Sequence, residues 1–147
     1  MVTPRLYHST ALLLPDGRVL VAGGGRLHGT NAPTDQLSAE IYSPPYLFNG
    51  ARPTISSAPA RFSMPPTFTV TTPDALQISS AALIRLGAVT HAFDQNQRYV
   101  PLTFQQVTGG LTVQAPTSAN LGSTRVLHAV LVNSHGVPSV ASIMKIQ

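Results

Sequence analysis

The 147-residue sequence contains no cysteine, so disulfides and thiolate metal sites are excluded, although this says little about compartment. Charge is scarce, with Asp, Glu, Lys and Arg making up only 10% of the chain. No apolar run approaches the ~20 residues of a membrane span. Met1-Val2-Thr3-Pro4-Arg5 has no apolar core of the kind that forms a signal peptide, so no export signal is expected in this segment. No stretch has a helical hydrophobic period of useful length, and no internal repeat or low-complexity tract is present. The +4 balance comes from nine basic residues, eight of them Arg, against five acidic ones. These arginines are scattered from Arg5 to Arg125 without a basic run interleaved with aromatics, which argues against a nucleic-acid partner.

What remains is rich in turn and strand formers. Thirteen Pro and eleven Gly accompany many Val, Thr and Ser, and hydrophobic residues make up 43%, as in an ordered globular chain. The fold class expected is all-β. Thr10 to Leu14 is followed by Pro15-Asp16-Gly17, where Pro fixes φ at the first corner and Gly accepts positive φ at the last. A hairpin therefore joins a strand over 6–14 to a return strand over 18–22, which stops at Gly23-Gly24-Gly25. A third strand is expected over 39–42, after a polar loop over 26–38. Three strands cannot bury the Leu12-Leu13-Leu14 surface alone, so this segment reads as incomplete.

Prolines and an Asn-Gly turn in Ser43 to Pro53 mark a domain boundary, dividing the chain at about residue 50 into segments 1–50 and 51–147. Short strands then recur over 54–56, 67–71, 81–85, 100–105, 111–114, 126–133 and 139–146. That spacing is expected of an immunoglobulin-like sandwich. Val130-Leu131-Val132 reads as part of a central strand, because apolar residues point to both faces.

Tyr7 and His8 offer a phenol oxygen and an imidazole nitrogen in adjacent positions, both usable metal ligands. Neighbours in a regular strand face opposite ways, so the two can share a metal only where the backbone bends. Read alone, such a pair is more often structural than ligating. His91 falls at a strand end or on the following loop and, alone, is more often a hydrogen-bonded loop histidine. His28 lies in a polar loop, His128 in an apolar strand as a core or face histidine, and His135 at a hairpin corner. No nucleophile elbow supports a Ser-His-Asp arrangement, and the three glycines lack the following helix and Lys of a phosphate cradle.

Longer strings carry a resemblance. Arg5-Leu6-Tyr7-His8-Ser9, Leu12 to Val19 and Gly23-Gly24-Gly25 are similar to the last kelch-type propeller segment of the copper-radical oxidases, the galactose oxidase and glyoxal oxidase family. The similarity continues through Ile41 to Leu47, Ala82 to Gly87, Thr90-His91, Gln97-Arg98, Pro101-Leu102 and Gly136 to Ala141. It covers essentially the whole chain. The resemblance implies an early-set immunoglobulin-like sandwich preceded by strands of an incomplete kelch blade. It implies copper held by Tyr7 as the axial ligand and by His8 and His91 as equatorial imidazoles, a sensible set for Cu(II). In that family the axial tyrosine, here Tyr7, is the catalytic base that takes the substrate hydroxyl proton. A second tyrosine, crosslinked to cysteine, is the radical.

The chain departs from the pattern in three places. It has no Cys, and Tyr42, Tyr46 and Tyr99 do not match the radical motif. Arg26-Leu27-His28-Gly29-Thr30 follows the glycines where cysteines often stand, and Thr124-Arg125-Val126-Leu127 replaces a Pro-Gly-Tyr-Tyr-type turn. The function implied is oxidation of primary alcohols or aldehydes, with O2 reduced to H2O2, in an extracellular protein. This chain would supply three copper ligands, and alone it would not turn over. The alternative is a non-catalytic sandwich acting as a structural or carbohydrate-binding module. Partners follow from either reading: a small alcohol, aldehyde or carbohydrate, O2, and a missing propeller portion of the same or another chain.

Unpaired strand edges in 6–42 predict self-association or pairing with that portion. The solution mass of the purified chain checks this, and a compact monodisperse monomer would count against it.

Overall fold

The three-residue loop Pro15-Asp16-Gly17 closes as its chemistry requires. The Gly17 N–H donates to Leu14 O, the Leu14 N–H donates to Arg18 O, and Gly17 sits at φ 80°. This is the hydrogen-bond pattern of a three-residue hairpin loop that ends in a left-handed glycine. Asp16 reinforces it by accepting from the Arg18 backbone N–H at 3.1 Å and from Arg18 Nε at 2.7 Å. The loop joins β1 (Ser9–Leu13) to β2 (Val19–Gly23), and β3 (Ala39–Tyr42) pairs antiparallel with β2. The structure is a computed structural model and describes residues 2–25, 35–62, 66–91, 93–116 and 125–146. His28, most of the 26–38 loop and the turn before Arg125 lie outside the described residues.

After β3 the chain forms a short 3-10 helix, Pro45–Phe48, within the expected boundary. The remaining strands are β4 (Arg61–Phe62), β5 (Thr67–Thr71), β6 (Ile78–Arg85), β7 (Val89–Thr90), β8 (Phe93–Asp94), β9 (Arg98–Leu102), β10 (Phe104–Val107), β11 (Gly110–Gln114), β12 (Arg125–Asn133) and β13 (Ser142–Ile146). Two sheets make the sandwich: a three-stranded β10-β11-β5 sheet and a five-stranded β4-β13-β12-β6-β9 sheet. The all-β expectation is met. Its core joins Phe68, Val70, Leu111 and Val113 to Ala81, Leu83, Leu127, Leu131 and Met144. Leu83, Leu111, Leu127 and Met144 are fully buried, which contributes about 1.5–3 kcal/mol for each such side chain.

Several expected strands differ in detail. The first strand begins at Ser9, because Leu6 to Ser9 forms a turn. The strand expected over 100–105 is two strands in different sheets, β9 and β10, meeting at Thr103. Pro101 explains the placement of β9 at a sheet edge, since a residue with no N–H cannot serve two neighbours. Residues 54–56 form no strand; the nearby Ser57 makes only an isolated bridge to Thr71. The last strand starts at Ser142, three residues later than expected, because Pro138 bridges Val132 and the Ala141 N–H turns aside to Pro15 O. Among the described residues, no helix is long and apolar enough to cross a membrane.

β12 lies in the middle of the five-stranded sheet, and its alternate side chains face opposite layers. Leu127, Ala129 and Leu131 enter the sandwich core, while His128, Val130 and Val132 face the β1–β2 hairpin. Ala82 and His128 are only 3% and 4% exposed although they stand on that outer face. The hairpin therefore forms a third layer. Arg52 fastens it: the guanidinium donates to Asp16 O at 2.7 Å, Pro138 O at 2.9 Å and Ser139 O at 2.8 Å. The Tyr46 hydroxyl donates to Gly17 O at 2.6 Å beside it.

Arg52→Ala should therefore destabilise the chain by about 2–4 kcal/mol in urea unfolding, since three carbonyls lose a charged donor together. Arg52→Lys should recover only part of this, because a single ammonium cannot span the fork. A loss under ~0.5 kcal/mol would mean that the clamp is not what holds the layer.

Candidate metal centre

Tyr7 and His8 are not strand neighbours. They are the two central residues of the Leu6–Ser9 turn, closed by the Ser9 N–H donating to Leu6 O at 3.0 Å. The backbone bend needed for both rings to reach one side is thus present. His8 has φ 63°, at the third turn position where type II geometry normally selects Gly or Asn. The glycines at the end of β2 make room for it. A Cβ on Gly25 would stand 3.3 Å from His8 Nδ1, and one on Gly23 would stand 3.0 Å from His8 O.

The backbone leading into the turn is anchored by Arg5, whose side chain is 3% exposed. Its guanidinium donates to Gly23 O at 2.8 Å and Ser38 Oγ at 2.9 Å, and its Nε lies 3.5 Å from Glu40 Oε2. A hydrogen bond from the Val2 backbone N–H, together with the Arg5 charge, holds the Glu40 carboxyl below its usual range.

His91 occupies the first position of the two-residue connection between β7 and β8, with φ 52°. Both turn types favoured in such hairpins demand positive φ there. Asp94 fixes the hairpin: its Oδ1 accepts from the backbone N–H groups of Ala88 at 3.2 Å, Asn96 at 3.2 Å and Gln97 at 3.1 Å. In the sequence Asp94-Gln95-Asn96 reads as a turn signal, but not as a carboxylate that holds three backbone N–H groups. The signal available was its position before Gln95-Asn96, where an Asp side chain commonly closes a turn on its own backbone. His91 Nδ1 lies 2.8 Å from Thr90 Oγ1. With Nδ1–H donating to that hydroxyl, Nε2 presents its lone pair outward.

β7 packs against β1, and the two distant segments meet. The Tyr7 and His8 rings stack with centroids 4.1 Å apart at 28°. His91 stands 5.0 Å from His8 at 67° and 5.8 Å from Tyr7. All three residues are exposed. Among the described residues, His8 and His91 are also the two non-glycine residues with positive φ. A left-handed non-glycine residue costs about 1–3 kcal/mol, and such strain clusters at functional sites.

The other histidines stand apart from this cluster. The turn around His135 is organised by Asn133 Oδ1, which accepts from the His135 and Val137 N–H groups. His128 faces the hairpin layer, and its burial depresses the imidazole pKa below the usual value. Among the described residues no three His, Cys, Asp or Glu side chains converge, and the Tyr7 phenol is the further protein donor that stands beside the two imidazoles. Two imidazoles and a phenol fit Cu(II), which favours mixed nitrogen and oxygen ligands.

The galactose oxidase-like early set domain matches residues 52–146 of the sequence. The chain belongs to the galactose oxidase-like family. It is 37% identical over 97% of its length to a galactose oxidase of Gibberella zeae, and 34% identical over 94% to the aldehyde oxidase GLOX of Vitis pseudoreticulata. The solved structure of a fungal alcohol oxidase in complex with copper superposes on all of it, with a TM-score of 0.83 and 33% identity. This galactose oxidase-like chain spans 21%, 29% and 32% of those three proteins, respectively.

Replacing His91 with Gly should relieve the left-handed strain and leave stability unchanged or raised by up to about 1 kcal/mol in urea unfolding, after allowing for glycine's greater entropy in the unfolded chain. A loss above ~1 kcal/mol would make the His91 ring a packing element instead.

Proposed function

We propose that this chain is the C-terminal part of a copper-radical-oxidase-like protein that oxidises primary alcohols or aldehydes with O2 to give H2O2. On this reading residues 1–50 are the incomplete last kelch propeller segment, and residues 51–147 are the early-set sandwich. The observation that carries it is the meeting of Tyr7 and His8 with His91, both imidazoles held in strained backbone. Tyr7, His8 and His91 are the residues that would hold the metal. Copper supplies one-electron redox chemistry when bound.

The chain's own residues have separate tasks. Tyr7 is 41% exposed, so a substrate hydroxyl can approach its ring, and its oxygen, ionised as a metal-bound phenolate would be, could take that proton and become the phenol. The Leu6–Ser9 turn and the Asp94-braced hairpin hold the two imidazoles without a search for conformers. With no cysteine, these 147 residues cannot form a Tyr-Cys crosslink. The radical partner must come from the missing propeller portion, in the same or another chain. Among the described residues, the outer edges of β1 and β3 pair with no further strand, and such a portion would add there. An extracellular location belongs to the same reading.

Calorimetric titration of the purified chain with Cu(II) tests it. Binding with one-to-one stoichiometry, weakened ~10-fold or more in His91→Ala, is expected. No binding, or binding indifferent to His91, would favour the structural or carbohydrate-binding module.

A further inference from the structure

A second feature lies where the hairpin layer meets the sandwich. A cleft of about 200 Å³ opens there, walled by Leu13, Leu14 and Tyr46 on one side and by Ile84, His128 and Val130 on the other. None of Tyr7, His8 and His91 lines it. Two facing sheets leave a slot between them, and small side chains at Gly17, Ala82 and Ala141 keep this one from filling.

Its polar groups are unequal. The Tyr46 hydroxyl is committed to Gly17 O, and Ser139 Oγ accepts from the Leu131 N–H at 3.1 Å. The His128 ring makes no hydrogen bond to a described residue and is only 4% exposed, and neither of its nitrogens is among the fully buried atoms that lack a partner, so the ring stays reachable from the cleft. It stands mid-sheet, opposite Ile84 on one neighbouring strand and Ile143 on the other. Desolvation keeps this imidazole neutral near pH 7, so one nitrogen donates and the other accepts.

We propose that this cleft binds a small neutral aromatic alcohol, its ring filling the apolar slot and its hydroxyl pairing with the His128 imidazole. Size supports the assignment. A dry cavity of about 150 Å³ takes benzene, so about 200 Å³ leaves room for a ring and roughly two more heavy atoms. Charge supports it too, because among the described residues no cation lines the cleft to hold a carboxylate and no anion lines it to hold an amine.

The probe is benzyl alcohol, with toluene as the control that lacks the hydroxyl, added to the full chain and followed by NMR of the histidine ring protons. The expected result is a saturable one-to-one shift of the His128 signals, with benzyl alcohol bound about five- to tenfold more tightly than toluene. Ala82→Leu should fill the slot and weaken binding at least ~10-fold, and His128→Leu should abolish the preference for the alcohol. The wild-type titration decides the matter even if a variant fails to fold. Unmoved His128 signals, equal affinity for the two probes, or full affinity in a folded Ala82→Leu chain would each overturn the proposal.

Discussion

A sheet with two apolar faces needs two covers, and in this chain the second cover is fastened at its turn by hydrogen bonds, three of them from one guanidinium. The sandwich takes the inner face of β12. The β1–β2 hairpin takes the outer face, and Arg52 joins the turn of that hairpin to the carbonyls of Pro138 and Ser139. The hairpin buries little by itself, with Val21 the one hydrophobic side chain of its three-stranded sheet counted as core. Its position therefore depends on polar geometry more than on packing, which suits a planar, forked donor better than a flexible ammonium. Tyr7 and His8 lead directly into β1. Their place relative to His91 follows from where Arg52 sets the hairpin.

Around the ring cluster the same economy recurs on a smaller scale. Two histidines occupy backbone conformations that glycine or asparagine would adopt at lower cost. The surrounding structure over-determines them: Arg5 ties the incoming backbone to β2 and β3, the glycines of β2 leave room for His8, and Asp94 closes the loop that carries His91. Even Gly87 takes part, since a Cβ there would fall 2.5 Å from Asp94 Oδ2. Strain at two points is offset by hydrogen bonds at many.

Much of this was legible in the sequence, and the limits have physical reasons. The Pro15-Asp16-Gly17 hairpin could be read because each residue type has one conformational use there. Residues 39–42 and 67–71 matched their strands because alternation and turns bounded them. Residues 100–105 were misread because an apolar run does not reveal that its halves belong to different sheets; Pro101 was the one hint. The pairing of Tyr7 and His8 with His91 came from resemblance alone, as no periodicity links positions so far apart. Asp94 was legible as a turn former before Gln95-Asn96, but its hold on three backbone N–H groups beside His91 was not, because sequence does not show which N–H groups a turn brings to a carboxylate. His128 was placed in an apolar strand correctly, but the third layer that buries its outer face was not visible in local pattern.

The separation of the three rings along the chain has a consequence for folding. His8 and His91 meet only after β1 has docked on β7, a contact that closes a loop through more than half of the sequence. Such closure is entropically expensive and comes late. An ion bridging the rings would bind only once that loop has closed, and would therefore stabilise the folded state by mass action rather than constrain the unfolded chain. Protection of the Ser9 and Thr90 amides against hydrogen exchange would then rise together, as one cooperative unit, although neither segment neighbours the other in the chain.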